Sequence, residues 1–335
     1  MQKNMKSKVK ITKLKGGSLS STCLHESSSL SFVRKSIYLK NNREYGFQRW
    51  YSQLKKIQRF NVDFPNLFPK LLNYGLDKDY GFFDLEYIPN SSNLFDFLTK
   101  ENDEKIIQKI FLKLKTSFDS LHKKKIQSFD GAIDLYYEEE IKQKISDCLN
   151  SKVFSLLIKN RKLFYNNEEI DGLCFHLDDY FKLFKKCYKN QRECLTHGNS
   201  TLENIIYDEN HEQIIFIDPY EENIIDSMFA DYSQVLQSSS SKYEYLNSLD
   251  ISIKENHFNY EDNFPSGLIK FNDIFESYLS SFKESDILLI RLLEISQFIR
   301  MLPFKKEVDP NKMLFFYAHA SFCYHNLRKN FKVIK

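Results

Sequence analysis

The chain has little glycine, a single tryptophan and no long apolar run. None of its nine glycines belongs to a GxxxxGK(S/T) loop or to a GxGxxG turn after a strand, so these two phosphate-binding loops are excluded. The most apolar late stretch, residues 287–302, is interrupted by Arg291, Glu294 and Arg300, which is typical of a buried helix. A membrane span needs about 20 consecutive apolar residues, and no stretch approaches that length.

The six cysteines include no CxxC pair, and a chain of 335 residues can build a core without disulfides. They therefore predict reduced thiols in a cytoplasmic protein, and the start of the sequence has no apolar signal-peptide region. The 48 basic and 45 acidic residues nearly cancel, which leaves no electrostatic footprint for a nucleic acid. We expect no nucleic-acid partner and no membrane span.

The pattern of apolar residues changes character near residue 90. Before it, alternation predicts strands, and one helix is expected over residues 43–57. The expected strands cover residues 8–14, 30–39, 71–74 and 80–88. Pro89 and the polar residues after it mark a break. We therefore divide the chain into a β-rich N-terminal lobe, residues 1–90, and a C-terminal lobe, residues 91–335.

The second region is mostly helical. Ile106, Ile110, Leu114, Phe118 and Leu121 recur at helical spacing. Helices are also expected over residues 137–158, over 173–188 and from 228 to the end, with a loop at 256–267. Between them, residues 202–218 predict a small hairpin, because two β-rich runs flank a turn at 208–210. A β-rich region followed by a helical region with one hairpin predicts an α+β fold and not a doubly wound sheet.

The most specific motif starts at His197 and reads HGNSTLENII. An apolar run follows and ends in Asp218. Here the sequence resembles the aminoglycoside phosphotransferase and choline kinase family, whose members carry His-Gly-Asp, then an Asn five residues after the Asp, then a strand ending in Asp. The resemblance covers about residues 8 to 250. It implies a two-lobed protein-kinase-like fold that binds ATP and Mg²⁺ and transfers phosphate to a hydroxyl of a small molecule.

The same resemblance implies a metal site. Asn204 would supply an amide oxygen and Asp218 a carboxylate, and both are hard oxygen ligands suited to Mg²⁺. Taken singly, Asn204 is equally typical of a turn and Asp218 of a helix cap. Their spacing between apolar strands favours the metal site.

Asn199 departs from the family, which has an aspartate at that position. An amide cannot accept the proton of an acceptor hydroxyl as a carboxylate can. Three explanations stay open: an engineered substitution, a divergent member with weak or no activity, or another group acting as the base. His197 is expected to orient the loop through hydrogen bonds, and Asp231 to fix it in the same way.

Further nucleotide contacts are implied in the first lobe. They are Gly17 and Ser18 in a turn over the phosphates, Lys35 as the strand lysine that pairs with phosphates, Glu44 as its helix partner, and Glu86 and Ile88 in the segment that contacts adenine. Strand alternation puts Arg34 on the face opposite to Lys35. A plain hairpin turn at Gly17 and a favourable charge at a helix start for Glu44 remain alternatives.

The sequence around Asn204 and Asp218 resembles that of family members associated with sugar and bacterial surface polysaccharide metabolism, so a sugar-like acceptor is expected. The alternative is a pseudokinase, which binds ATP without catalysis and acts through a partner. A protein kinase is disfavoured because His-Arg-Asp, Asp-Phe-Gly and Ala-Pro-Glu are absent from the sequence.

Overall fold

The structure is a computed structural model that describes residues 9–14, 20–28, 30–39, 43–126, 131–188, 193–220 and 223–331. The chain forms two compact units. The first unit comprises Met1–Asn93 and Asn204–Glu222, and the second comprises Leu94–Glu203 and Asn223–Lys335.

The regular elements are numbered in chain order. The strands are β1 Lys10–Leu14, β2 Ser20–Glu26, β3 Ser31–Tyr38, β4 Leu71–Leu76, β5 Tyr80–Glu86, β6 Ser91–Asn93, β7 Lys162–Tyr165, β8 Glu168–Asp171, β9 Ile205–Asp208, β10 Gln213–Phe216, β11 Ser252–Lys254 and β12 His257–Asn259. The α-helices are α1 Arg43–Asp63, α2 Leu94–Lys100, α3 Glu104–His122, α4 Ala132–Tyr136, α5 Gln143–Ser146, α6 Lys152–Leu157, α7 Leu177–Tyr188, α8 Met228–Ser239, α9 Tyr243–Ser248, α10 Ser266–Leu279, α11 Glu284–Val308 and α12 Pro310–Phe331. A π-helical turn, Tyr137–Lys142, joins α4 to α5, and 3-10 helical turns cover Leu173–His176 and Leu202–Asn204.

The larger sheet of the first unit is antiparallel in the order β1-β2-β3-β5-β4. Helix α1 covers it with Trp50, Leu54 and Ile57, whose spacing places them on one helix face. They pack with Ile37 and Phe83 of the sheet. The rings of Trp50 and Phe83 are stacked, with their centroids 6.2 Å apart. Burial of each such side chain contributes about 1.5–3 kcal/mol. The predicted strands and helix are found here, whereas β2 was not predicted.

The predicted hairpin is confirmed as β9 and β10, which pair with Ile205 opposite Phe216. The Asp208 carboxylate shapes the turn by accepting a hydrogen bond from the Asn210 N–H at 3.0 Å. A third strand, β6, pairs with β9. This pairing joins the hairpin to the first unit, whereas all residues after 90 were expected in the second lobe.

The second unit is mainly helical, and α11 contacts both α8 and α12. The stripe predicted on α3 is buried at Ile110, Leu114, Phe118 and Leu121, but Ile107 takes the buried place expected for Ile106. None of the described helices is long and apolar enough to cross a membrane.

The second unit also contains a sheet that was not predicted, in the order β11-β12-β7-β8. Strands β7 and β8 are joined at Asn166 and Asn167, which both have positive φ, at 45° and 67°. A two-residue hairpin turn with positive φ at both positions favours asparagine, so the pair Asn166-Asn167 was an available signal. Strand β12 lies within the segment expected to be a loop.

Candidate active site

The segment from His197 to Leu202, called here the HGN loop, is fixed by the side chains of helix α8. The buried Asp231 carboxylate accepts hydrogen bonds from the backbone N–H groups of His197, at 2.9 Å, and Gly198, at 2.8 Å. It also accepts one from the Ser200 hydroxyl at 3.2 Å. The expectation that Asp231 fixes this loop by hydrogen bonds is therefore confirmed.

Two further polar side chains lie on the same face of α8. Gln234 accepts from the Ser200 N–H at 2.7 Å and donates to the Gly198 carbonyl at 2.8 Å. The Ser238 hydroxyl accepts from the Leu202 N–H at 3.0 Å. Residues 231, 234 and 238 are spaced by three and four, which is the period of one helix face. We call these three residues the α8 polar stripe, and it satisfies buried backbone groups of His197, Gly198, Ser200 and Leu202 in the HGN loop.

The Asp231 carboxylate also contacts His122, whose Nε2 lies 2.9 Å from Oδ2. Burial acts to raise the pKa of Asp231, but the hydrogen bond from His122 and the charge of that histidine outweigh it, so the pKa lies below its usual value. Asp231 therefore stays ionised while fully buried, and it orders the donors around it.

The conformation of the HGN loop depends on glycine at residue 198. Its φ is +79°, a region that other residues rarely adopt. A Cβ at this position would also lie 2.0 Å from Nδ2 of Asn223. The Asn223 amide donates to Thr196 at 3.2 Å and to Asp226 at 3.3 Å, and Thr196 donates to Asp226. This polar cluster encloses the loop beside Gly198.

Asn199 is half-buried in the HGN loop, and its N–H donates to Nδ1 of His197 at 3.2 Å. The His197 side chain is fully buried. The two predicted residues are thus linked inside the second unit, with the imidazole acting as a hydrogen-bond acceptor for the loop backbone.

The first unit contains the strongest charge contact among the predicted residues. The Lys35 ammonium donates to Oδ1 of Asp218 at 2.6 Å. Lys35 is 6% exposed, whereas a third of the Asp218 side chain is exposed. A buried lysine needs a counter-charge, and Asp218 supplies it. The structure therefore brings together the predicted phosphate-binding lysine and the predicted metal ligand.

The backbone around Asp218 is held in an unusual conformation. Asp218 has a φ of +56°, and such positions in non-glycine residues often occur at functional sites. The Ile217 N–H donates to the Asn204 carbonyl at 2.9 Å, so the backbone brings residue 204 next to residue 217 across the hairpin. Gln53 of α1 donates to the Pro219 carbonyl at 3.2 Å and anchors the segment that follows.

The donor set at the end of this hairpin fits Mg²⁺. It offers an amide oxygen at Asn204 and a carboxylate at Asp218 that is already in contact with a cation, Lys35. Among the described residues, no group of three or more His, Cys, Asp or Glu side chains could hold a metal. An ion at this hairpin would therefore need further ligands, and Mg²⁺ in proteins usually takes them from water and substrate phosphates.

Among the described residues, Glu44 makes no ion pair with Lys35. The ion pair of that lysine is with Asp218. Glu44 is exposed in the first turn of α1, where its charge favours the helix start. It lines a cavity of about 440 Å³ with Leu39, Phe47, Leu76 and Asp77. Arg34 forms a separate bidentate ion pair with Asp84, with hydrogen bonds of 2.6 and 2.7 Å. This agrees with the expectation that Arg34 lies on the strand face opposite to Lys35.

The remaining predicted residues of the first unit are less informative. The Glu86 N–H donates to the Lys70 carbonyl at 2.9 Å, and the Ile88 carbonyl accepts from the Ser91 hydroxyl at 2.7 Å. Gly17 and Ser18 lie outside the described residues. Ser20, Ser21 and Thr22, which follow the predicted turn in the sequence, belong to strand β2.

Sequence reasoning missed the residues that support the HGN loop. Gln234, Ser238, Thr196, Asn223 and Asp226 were not predicted to support it. The available signal was the helical spacing of Asp231, Gln234 and Ser238, because three polar residues on one face of a buried helix require polar partners.

No family model matches the sequence, and no curated protein does. Solved structures do. The chain is similar to a protein described as a fructosamine-3-kinase from Haemophilus somnus, with a TM-score of 0.56 and 11% identity over 95% of this chain and 92% of that one. It is similar to a spectinomycin phosphotransferase in complex with ADP and spectinomycin, with a TM-score of 0.52 and 11% identity over 97% and 93%. For an aminoglycoside-3'-phosphotransferase of type VIII the TM-score is 0.50, with 11% identity over 85% and 93%.

At this level of identity the comparisons show the fold. The chain has the α+β, two-lobed, protein-kinase-like fold expected from its sequence, and that prediction is confirmed. The structures that share the fold include aminoglycoside phosphotransferases, in agreement with the resemblance drawn from the HGN motif.

Proposed function

We propose that this chain is an ATP-dependent phosphotransferase that acts on a hydroxyl of a small molecule. The single observation that carries the proposal is the contact of Lys35 with Asp218 at 2.6 Å, beside the hairpin that brings residues 204 and 217 together. A buried lysine on a central strand, held by a carboxylate next to a hard oxygen donor, is suited to phosphates and a divalent cation. The shared fold supports this function.

In this proposal Lys35 exchanges the Asp218 carboxylate for phosphate oxygens when the nucleotide binds. Asp218 and Asn204 would then hold Mg²⁺, which would neutralise charge on the phosphoryl group during transfer. The phosphate-covering role of Gly17 and Ser18, the adenine contacts of the 86–88 segment and a nucleotide role for Glu44 remain part of the proposal.

Asn199 would position the acceptor hydroxyl, with His197 ordering the loop that carries it. The amide cannot take the hydroxyl proton, so that proton would leave to another group, to water or to the phosphate itself. A loose phosphoryl-transfer transition state demands little help from a base at an early stage. We therefore expect slow transfer by this chain and faster transfer by Asn199→Asp.

For the acceptor we propose a sugar or a precursor of a surface polysaccharide. The proposal rests on the resemblance of the residues around Asn204 and Asp218 to members with such roles. We also propose a cytoplasmic location, because ATP is available there and the six free cysteines suit a reducing compartment.

The test is a titration with ATP and Mg²⁺ followed by single-turnover phosphate transfer to a panel of sugars. Asp218→Asn should weaken Mg²⁺-dependent nucleotide binding, whereas Asp63→Asn, a change at the end of α1 in the same unit, should leave it unaltered. Equal binding by wild type and Asp218→Asn would refute the metal site.

A second function, a pseudokinase that binds ATP without transfer, is favoured by one observation, the amide at residue 199. The same transfer assay separates the two. Transfer by Asn199→Asp with the sugar panel supports the phosphotransferase, while nucleotide binding without transfer by either chain supports the pseudokinase.

A further inference from the structure

The far end of the α8 polar stripe contacts the residues just before Asn204. Ser238 is fully buried, and its hydroxyl accepts a hydrogen bond from the Leu202 N–H at 3.0 Å. The same hydroxyl donates to Oε1 of Glu244 at 2.7 Å. Glu244 is 5% exposed, and its other carboxylate oxygen has no hydrogen-bond partner among the described residues. A carboxyl group thus lies buried behind the loop that leads into the metal site.

The geometry explains why an acid is useful at residue 244. A serine hydroxyl has a single proton to donate. Besides Glu244, the Ser238 hydroxyl has another acceptor, the backbone carbonyl of Gln234 one helical turn earlier. The hydroxyl oxygen lies farther from that carbonyl oxygen, at 3.4 Å. Because Glu244 accepts the hydrogen bond of the Ser238 hydroxyl at 2.7 Å, the oxygen lone pairs of Ser238 are directed at the Leu202 N–H. Without that acceptor the hydroxyl can rotate towards its own helix, and the hold on the loop weakens.

We propose that Ser238 and Glu244 are positioning residues, which hold the turn Leu202–Asn204 so that Asn204 presents its amide oxygen to the metal. The inference rests on the proposed function of Asn204 as a metal ligand. Leu202 is separated from Asn204 by one residue, and the three residues form a single 3-10 helical turn. Because each residue has only two soft backbone dihedral angles, a shift of Leu202 is passed on to Asn204 across the single residue between them.

A purely structural role would give a different result from a positioning role. If Ser238 only filled space in the second unit, its loss would lower stability but leave nucleotide binding by the folded protein unchanged. If it positions Asn204, its loss reduces the part of the nucleotide affinity that depends on Mg²⁺. The affinity measured in EDTA has no contribution from the metal and stays the same.

The test measures ATP affinity of the full chain with Mg²⁺ and with EDTA. Ser238→Ala and Glu244→Ala should each weaken binding in Mg²⁺ by roughly tenfold, the ratio that corresponds to one weakened interaction, with no change in EDTA. Glu244→Gln keeps an oxygen acceptor for the Ser238 hydroxyl and should restore most of the affinity. The matched control is Ser233→Ala, because Ser233 is also buried on α8 but donates to the Ala230 carbonyl of its own helix.

The outcomes separate this inference from the proposed function. If Mg²⁺ does not tighten ATP binding by the wild type, the proposed metal site is wrong. If Mg²⁺ does tighten it, and Ser238→Ala and Glu244→Ala both behave like Ser233→Ala, the positioning role is wrong while the metal site stands. Circular dichroism identifies any variant that fails to fold, and the other of the two variants then decides.

Discussion

Removal of the Asp218 carboxylate would leave Lys35 buried without its counter-charge. Two unit charges at 2.6 Å attract each other by about 6 kcal/mol at an effective dielectric constant of about 20. The desolvation of the lysine offsets several kcal/mol of that attraction in the native protein. Breaking a fully buried pair typically costs about 3–5 kcal/mol. Since a third of the Asp218 side chain is exposed, we expect Asp218→Asn, which keeps a residue that tolerates the positive φ, to lower the free energy of unfolding of the first unit by about 2–3 kcal/mol.

The assay uses Trp50, the single tryptophan, which is 5% exposed in the core of the first unit. Its fluorescence reports urea unfolding of that unit. A double-mutant cycle with Lys35→Met should give a coupling energy of about 2 kcal/mol, since the double variant leaves no unpaired charge. The exposed pair Lys10 and Glu26, with atoms 3.4 Å apart, is the control, and Glu26→Ala should cost less than about 1 kcal/mol. Additive effects of the two changes in the cycle would refute the reasoning.

Other predictions concern the second unit. Burial, with a smaller contribution from the charge of Glu203, raises the pKa of Glu244 from its ordinary 4.5 to about 7, although its hydrogen bond with a serine opposes the shift. The folded state therefore binds the proton more tightly than the unfolded state does. The stabilisation that this gives is complete below pH 4.5 and is lost as the pH rises to about 7. Relative to Glu244→Gln, the free energy of unfolding of the wild type should fall by up to about 3 kcal/mol over that window. Parallel pH profiles of the two proteins in urea unfolding by circular dichroism would contradict this. Gly198→Ala should cost about 2 kcal/mol or more in the same assay, because of the positive φ and the clash with Asn223; an unchanged midpoint would argue against a rigid HGN loop. Asp231→Asn places an amide among hydrogen-bond donors and should cost roughly 3 kcal/mol, and a loss below about 1 kcal/mol would show that the loop does not depend on that charge.

Local sequence patterns were sufficient for the hairpin and for the helix over the first sheet. The runs that became β9 and β10 are β-rich on both sides of a polar turn, so each residue favours the structure it adopts. In the same way, Trp50, Leu54 and Ile57 have the spacing of one helix face. These elements were predictable because their signals lie within about twenty residues of sequence.

The contacts that define the candidate site were less accessible. Lys35 and Asp218 are 183 residues apart, and the family resemblance suggested Glu44 as the lysine's partner instead. A local charge pattern could not distinguish the two carboxylates, because only the folded chain determines which one lies within reach. Strand β2 was missed for another reason, since its serines and threonine are as typical of turns as of strands. The positions of Gln234 and Ser238 could have been inferred from helical spacing, but their backbone partners could not.

The left-handed backbone at Asp218 limits which substitutions can persist there during evolution. Aside from glycine, the residues that tolerate such a φ best are asparagine and aspartate. Both end in an oxygen on a short stem. Neutral variation at this position would therefore tend to retain a donor for a hard cation, and the main chain itself favours a residue that can bind metal.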